Sequence, residues 1–156
     1  MKQSINQSTN QVTNQVTNRT EHVVMQVLDT AAALERGMDS ALSFSRGVTF
    51  SEYRMLRALQ DAERGLTRVA LASMLSVSPS GVTRALKPLE KLGYVTTVKN
   101  ARDARQSLAT LTSGGHELLS DVSGVLNDYL NGLDIDSVSE SHLSVLEEVL
   151  RKLRDR

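Results

Sequence analysis

Apolar residues recur at helical spacing through most of this 156-residue chain, and β-branched residues cluster into short strand-like runs in only one region. From about Thr20 to Ser45, Val24, Val27, Leu28, Ala31, Leu34, Met38 and Leu42 mark one helix face. Gly47 is placed to close that helix. Thr49-Phe50-Ser51-Glu52 is a capping box opening a second helix, with Phe50, Tyr53, Leu56 and Leu59 on one side and Arg54, Arg57 and Gln60 on another. Thr67 caps a short third helix in which Val69, Ala70, Leu71 and Leu75 are expected to pack. After Ser76-Val77, Ser78 caps a fourth helix with Pro79 at its first position, where a missing N–H costs nothing. That helix runs to about Leu92, with Val82, Leu86, Leu89 and Leu92 expected inward and Gly93 as its stop. Pro88 removes a hydrogen bond to Arg84 and is expected to bend it.

Two short helices joined by a three-residue turn form a helix-turn-helix. Two strand-like runs come next, Tyr94 to Lys99 and Ser107 to Leu111, separated by Asn100-Ala101-Arg102-Asp103-Ala104-Arg105. They predict a hairpin whose charged tip projects outward and which adds nothing to a core. Thr112 caps a long helix bearing Leu118, Leu119, Val122, Val125, Leu126, Tyr129, Leu130 and Leu133, and Ser137-Val138-Ser139-Glu140 reads as another capping box before a last helix with Leu143, Leu146, Leu150 and Leu153. The expected architecture is mainly α with a small β wing, a winged helix-turn-helix flanked by long helices. The first and last two helices carry apolar stripes that a two-fold dimer would bury. Leu28, Leu126, Leu130, Leu143, Leu146 and Leu150 are the candidate dimerisation residues.

Residues 1–19 are low in complexity, with Asn-Gln-Val-Thr repeated, and their composition favours a frayed tail. The spacing of Ile5, Val12, Val16 and Val23 also permits a helix that extends the first apolar-striped one toward the N-terminus. The chain thus divides into a polar segment 1–19 (tail or helix extension), a dimerisation helix 20–47, a winged helix-turn-helix 48–112 and dimerisation helices 113–156.

Net charge is zero, yet it is sorted. Residues 64–105 hold eight basic and two acidic residues, a net +6, leaving −6 on the remainder. A basic reading head beside an acidic body suits contact with phosphates. The candidate base-reading residues are Ser80, Gly81, Thr83 and Arg84, at the exposed start of the fourth helix. Arg84 has the reach for two parallel bonds to guanine. Arg68, Ser78, Lys87, Lys91 and Lys99 are the candidate phosphate ligands, and Arg102, Asp103 and Arg105 are the charged residues of the wing tip.

No cysteine is present, which excludes disulfides and thiolate metal sites, and His22, His116 and His142 lack helical metal-ligand spacing. No metal and no cofactor is expected. No carboxylate pair, nucleophile–base motif or phosphate loop stands out, so the chain is not read as an enzyme. The polar start carries neither a signal peptide nor a membrane span, which makes a cytoplasmic location the expectation. The competing reading is a winged-helix interaction module whose basic face meets an acidic protein.

The helix-turn-helix Leu66 to Gly93, the wing motif Asp103-Ala104-Arg105 and Leu111-Thr112-Ser113-Gly114-Gly115, in that order and spacing, resemble the MarR (multiple antibiotic resistance regulator) family over about Thr49 to Leu119. The resemblance implies a homodimeric transcriptional regulator, most often a repressor, bound to a pseudo-palindromic double-stranded operator. It implies a recognition helix in the major groove, a wing arginine (Arg105, braced by Asp103) in the minor groove, and a small-molecule effector of unassigned identity. Pro88, the polar N-terminal extension and the lack of cysteine depart from the family's pattern, and the last excludes its thiol-oxidation branch.

Overall fold

The computed structural model describes residues 2–62, 64–99, 106–133, 135 and 137–155, with side chains described from residue 18 onward. Among these residues six helices and one antiparallel pair of strands run in the order α1 (Lys2–Arg46), α2 (Phe50–Gln60), α3 (Arg68–Leu75), α4 (Pro79–Lys91), β1 (Val95–Lys99), β2 (Ser107–Leu111), α5 (Ser113–Asn131) and α6 (Glu140–Arg154). Helix α1 begins at Lys2, so the polar segment takes the second of its two readings, a helical extension. At 1.5 Å per residue its 45 residues span about 67 Å.

The core gathers around α2. Leu42 of α1, Met55 and Leu56 of α2, Leu71 of α3, Val82 and Leu86 of α4, and Leu119 and Val122 of α5 are its fully buried side chains. Among the described side chains, α1 reaches this core near its C-terminal end, through Met38 and Leu42. Higher up, Val23, Met25 and Leu28 stay exposed. Helices α1 and α5 cross closely at Gly37, where a Cβ would lie 2.0 Å from the Tyr129 hydroxyl. Helix α6 buries none of its residues within the chain.

The caps form largely as the residue types dictate. Thr49 Oγ1 accepts the Glu52 N–H at 3.2 Å while Glu52 Oε2 accepts the Thr49 N–H at 2.9 Å. Thr67, Ser78 and Thr112 each accept a backbone N–H three residues on. At the α1–α2 corner Gly47 adopts φ +64°, and Asp39 Oδ1 of α1 accepts the Phe50 N–H of α2 at 2.7 Å. The last capping box does not form as expected. Helix α6 starts at Glu140 with Ser139 at the cap position, and Ser139 Oγ bonds Ser141 Oγ and His142 Nδ1 rather than a backbone N–H.

Four packing expectations are corrected. Val69 is 67% exposed and Leu92 66%, so neither faces inward: an eight-residue α3 has room to bury only Leu71, Ala72 and Leu75, and Leu92 lies past the last turn of α4. The hairpin does contribute to the core, because Val95 and Ala109 point inward and are buried. Ala109 also exchanges both backbone bonds with Leu66, at 3.0 and 2.8 Å, which pins the segment before α3 onto β2. Leu126, expected at a dimer interface, is 6% exposed and packs in the chain's own core beside Leu119 and Val122.

Candidate nucleic-acid interface

Helix α4 presents two faces of opposite character. Val82, Leu86 and Leu89 lock one into the core, which turns Ser80, Thr83, Arg84, Lys87 and Lys91 outward. Its first turn is locally organised. Ser78 Oγ accepts the Gly81 N–H at 3.1 Å and lies 3.1 Å from Ser80 Oγ. A Cβ at Gly81 would meet that same Ser78 Oγ at 3.1 Å, so glycine keeps the cap uncrowded. Thr83 Oγ1 donates to the Pro79 carbonyl at 3.0 Å, which leaves its methyl and its acceptor lone pairs for an incoming surface. The helix continues through Pro88 to Lys91.

Arg84, Lys87 and Lys91 recur at three- and four-residue steps along the exposed stripe of α4, and Lys99 ends β1. Among the described residues none of these four cations forms an ion pair. They are therefore free to meet an external anion. Arg102, Asp103 and Arg105 lie outside the described residues.

Arg68 is placed differently from its expected phosphate-binding role. One terminal guanidinium nitrogen donates to Glu90 Oε1 at 2.7 Å and lies 3.5 Å from Thr97 Oγ1. Thr97 Oγ1 donates to the same Glu90 oxygen at 2.7 Å. Both charged side chains are about 30% exposed, and Arg68 Nε is buried without a partner among the described residues. Its charge is spent inside the domain, joining α3, α4 and β1. Sequence reasoning missed this contact because its members are 22 and 7 residues apart. A signal existed: Arg68 opens α3 and Glu90 sits in the last turn of α4, each at the helix end that its charge disfavours.

The hairpin is rooted on α5. Thr112 Oγ1 donates to the Gly93 carbonyl at 2.6 Å, and the Thr112 N–H donates to the Tyr94 carbonyl at 3.1 Å. Gly115 must be a glycine here, since a Cβ would stand 2.0 Å from the Tyr94 oxygen.

Among the described residues no cluster of His, Cys, Asp and Glu has the arrangement of a metal site, and no helix is long and apolar enough to cross a membrane. The candidate dimerisation residues other than Leu126 keep surface available. Leu28, Leu130, Leu146 and Leu150 are exposed and Leu143 half-buried.

Comparison with known proteins places this geometry. Residues 46–106 match the model of the MarR family. Wild-type MarR from E. coli, in its apo form, superposes with a TM-score of 0.70 at 24% identity over 83% of this chain and 94% of that one. A MarR family transcriptional regulator from Streptomyces coelicolor, in complex with DNA, gives 0.79 at 25% identity over 86% of each chain. CouR from Rhodococcus jostii, bound to p-coumaroyl-CoA, gives 0.75 at 16% identity over 84% of this chain and 90% of that one. Comparison with curated proteins gives no match. Over residues 46–106 this chain is similar to the MarR family, and its helices and hairpin together have the fold of solved MarR family transcriptional regulators.

Proposed function

We propose that the protein is a dimeric, sequence-specific DNA-binding regulator that represses transcription until a small-molecule effector releases it. The observation that carries the reading is the row of cations Arg84, Lys87 and Lys91, unpaired among the described residues, on the outward stripe of α4, continued by Lys99 on the hairpin. Helix α4 enters the major groove by its N-terminal turns. Ser80, Gly81, Thr83 and Arg84 then face base edges, with the arginine on guanine O6 and N7. Ser78, Lys87, Lys91 and Lys99 contact phosphates, which gives affinity without sequence information. Arg105, braced by Asp103 and flanked by Arg102, reads the minor groove through its width.

The dimer is supported by surface that one chain leaves uncovered. Helix α6 exposes Val145, Leu146, Val149, Leu150 and Leu153 in a helix with no buried residue, and α1 exposes Val23, Val24, Met25 and Leu28. An apolar groove between them, lined by Val23, Val27, Ala31, Leu34, Leu146 and Leu150, is open to a second copy. Two copies place two reading helices on one duplex and make the operator a pseudo-palindrome. Release by an effector asks little energy: a hundredfold loss of DNA affinity corresponds to about 2.7 kcal/mol of differential binding. That a protein of the same fold holds p-coumaroyl-CoA supports an effector in this one.

The test is selection of bound duplexes from a random-sequence pool at moderate salt, with the recovered DNA sequenced. A two-fold symmetric motif is the expected result. If no sequence is enriched over the starting pool, the reading is wrong, and an acidic protein partner becomes the target to seek.

A further inference from the structure

The contact between Arg68, Glu90 and Thr97 has features that stability alone does not explain. A basic residue opening α3 and an acidic residue closing α4 each oppose the dipole of their own helix. Arg68 Nε is buried and unpartnered among the described residues, so the guanidinium is not fully satisfied where it sits. What the arrangement does accomplish is geometric. The link from α4 to β1 is three residues, Leu92 to Tyr94, with Gly93 at φ +78°. At its root the Tyr94 N–H donates to the Leu89 carbonyl at 2.9 Å. Farther along β1, the side-chain tie back to α4 is Thr97 Oγ1 on Glu90 Oε1, with Arg68 clamping the same oxygen from α3.

We infer that Arg68, Glu90 and Thr97 are positioning residues that fix the angle between the recognition helix and the wing, and so set which base steps the two contact together. The inference rests on the DNA-binding reading above. The leverage is direct. Leu66 holds the partner strand at Ala109, opposite Thr97, so the arm that swings is Thr97 to Lys99, about 7 Å of extended strand, and a swing of about 25° there moves Lys99 by about 3 Å. That is close to the rise of one base step, about 3.4 Å. A wing free to swing by that amount loses register with the helix in the major groove, and specific affinity falls while phosphate attraction persists. The pair also neutralises itself, so Arg68 adds no net charge to the surface around α4 and β1.

Thr97→Val tests this without changing charge. The position is exposed, and valine suits a strand, so the fold is retained and a melting curve checks it. Binding is measured to a duplex selected from a random pool by the wild-type protein, and to poly(dI-dC). Thr97→Val is expected to lose roughly tenfold on the selected duplex, the scale of one hydrogen bond to a charged group, and nothing on poly(dI-dC). Thr97→Ser, which keeps the hydroxyl, restores the affinity. Glu90→Gln loses on the selected duplex but gains on poly(dI-dC), because it frees the charge of Arg68. Equal losses on both duplexes, or a Thr97→Val protein indistinguishable from wild type, overturn the inference while leaving DNA binding intact. A wild-type protein that selects no sequence overturns the DNA-binding reading itself.

Discussion

Two glycines in the same helix should respond to alanine with opposite signs. Gly115 and Gly124 both lie in α5. Alanine in a helix gains about 1 kcal/mol over glycine when space allows, by reducing the entropy of the unfolded chain. At Gly124 a Cβ meets nothing within 4 Å, so most of that gain is realised. At Gly115 the Cβ would stand 2.0 Å from the Tyr94 carbonyl oxygen and 3.1 Å from its carbon. The obstacle is backbone and has no rotamer to escape into. It is also tethered, since the same oxygen accepts the Thr112 N–H at 3.1 Å and faces Thr112 Oγ1 at 3.3 Å. Restoring ordinary contact separates the α5 start from the hairpin root by roughly 1 Å or more, an overpacking cost of about 1–3 kcal/mol that outweighs the helix gain. Gly115→Ala is therefore destabilising by up to about 2 kcal/mol and Gly124→Ala stabilising by about 0.5–1 kcal/mol. For a chain of this size the two variants should melt about 4–8 °C apart. Urea unfolding followed by circular dichroism, at one protein concentration because any self-association would shift apparent stability, measures the difference. A Gly115→Ala protein as stable as Gly124→Ala would refute the claimed contact between α5 and the wing root.

Further expectations concern the interface and the reading head. Leu150→Glu should give a folded monomer by light scattering, since Leu150 is 40% exposed in one chain and needs a partner to be covered; a persistent dimer would move the interface away from α6. Arg84→Ala should cost about 1–3 kcal/mol on a selected operator and relax preference at one base pair, whereas recovery of an unchanged motif would remove it from the readers. Arg105→Ala should weaken operator binding by about tenfold or more with dimerisation unaltered, which a gel shift beside a sizing column decides. Lys87→Ala and Lys91→Ala should each reduce the slope of log affinity against log salt by about 1, and a flat salt response in the wild type would contradict phosphate contact altogether.

Helix α4 is legible in the residues because its determinants are local. Ser78, Pro79 and Gly81 form a cap within one turn, and Val82, Leu86 and Leu89 orient the helix by periodicity alone. Periodicity says which face is apolar but not what covers it. Leu126 and Leu150 share the same helical spacing, yet one is covered by the chain's own core and the other is left open. The hairpin misleads for a related reason: two short strands look too small to bury anything, but Val95 and Ala109 lie against helices that the strands' own pattern does not mention. Arg68 reads as a free cation along the chain because its neutralising partner comes from the far end of another helix.

The bond from Asp39 to the Phe50 N–H has a kinetic consequence. The first amides of a helix ordinarily exchange with solvent as its end frays, since no carbonyl within the helix holds them. In α2 that amide is held by a carboxylate from α1, 11 residues back and across the Gly47 corner. Phe50 should then exchange only when α1 and α2 part, and its exchange rate becomes a clock for that separation, readable at a single site in the free protein and on DNA.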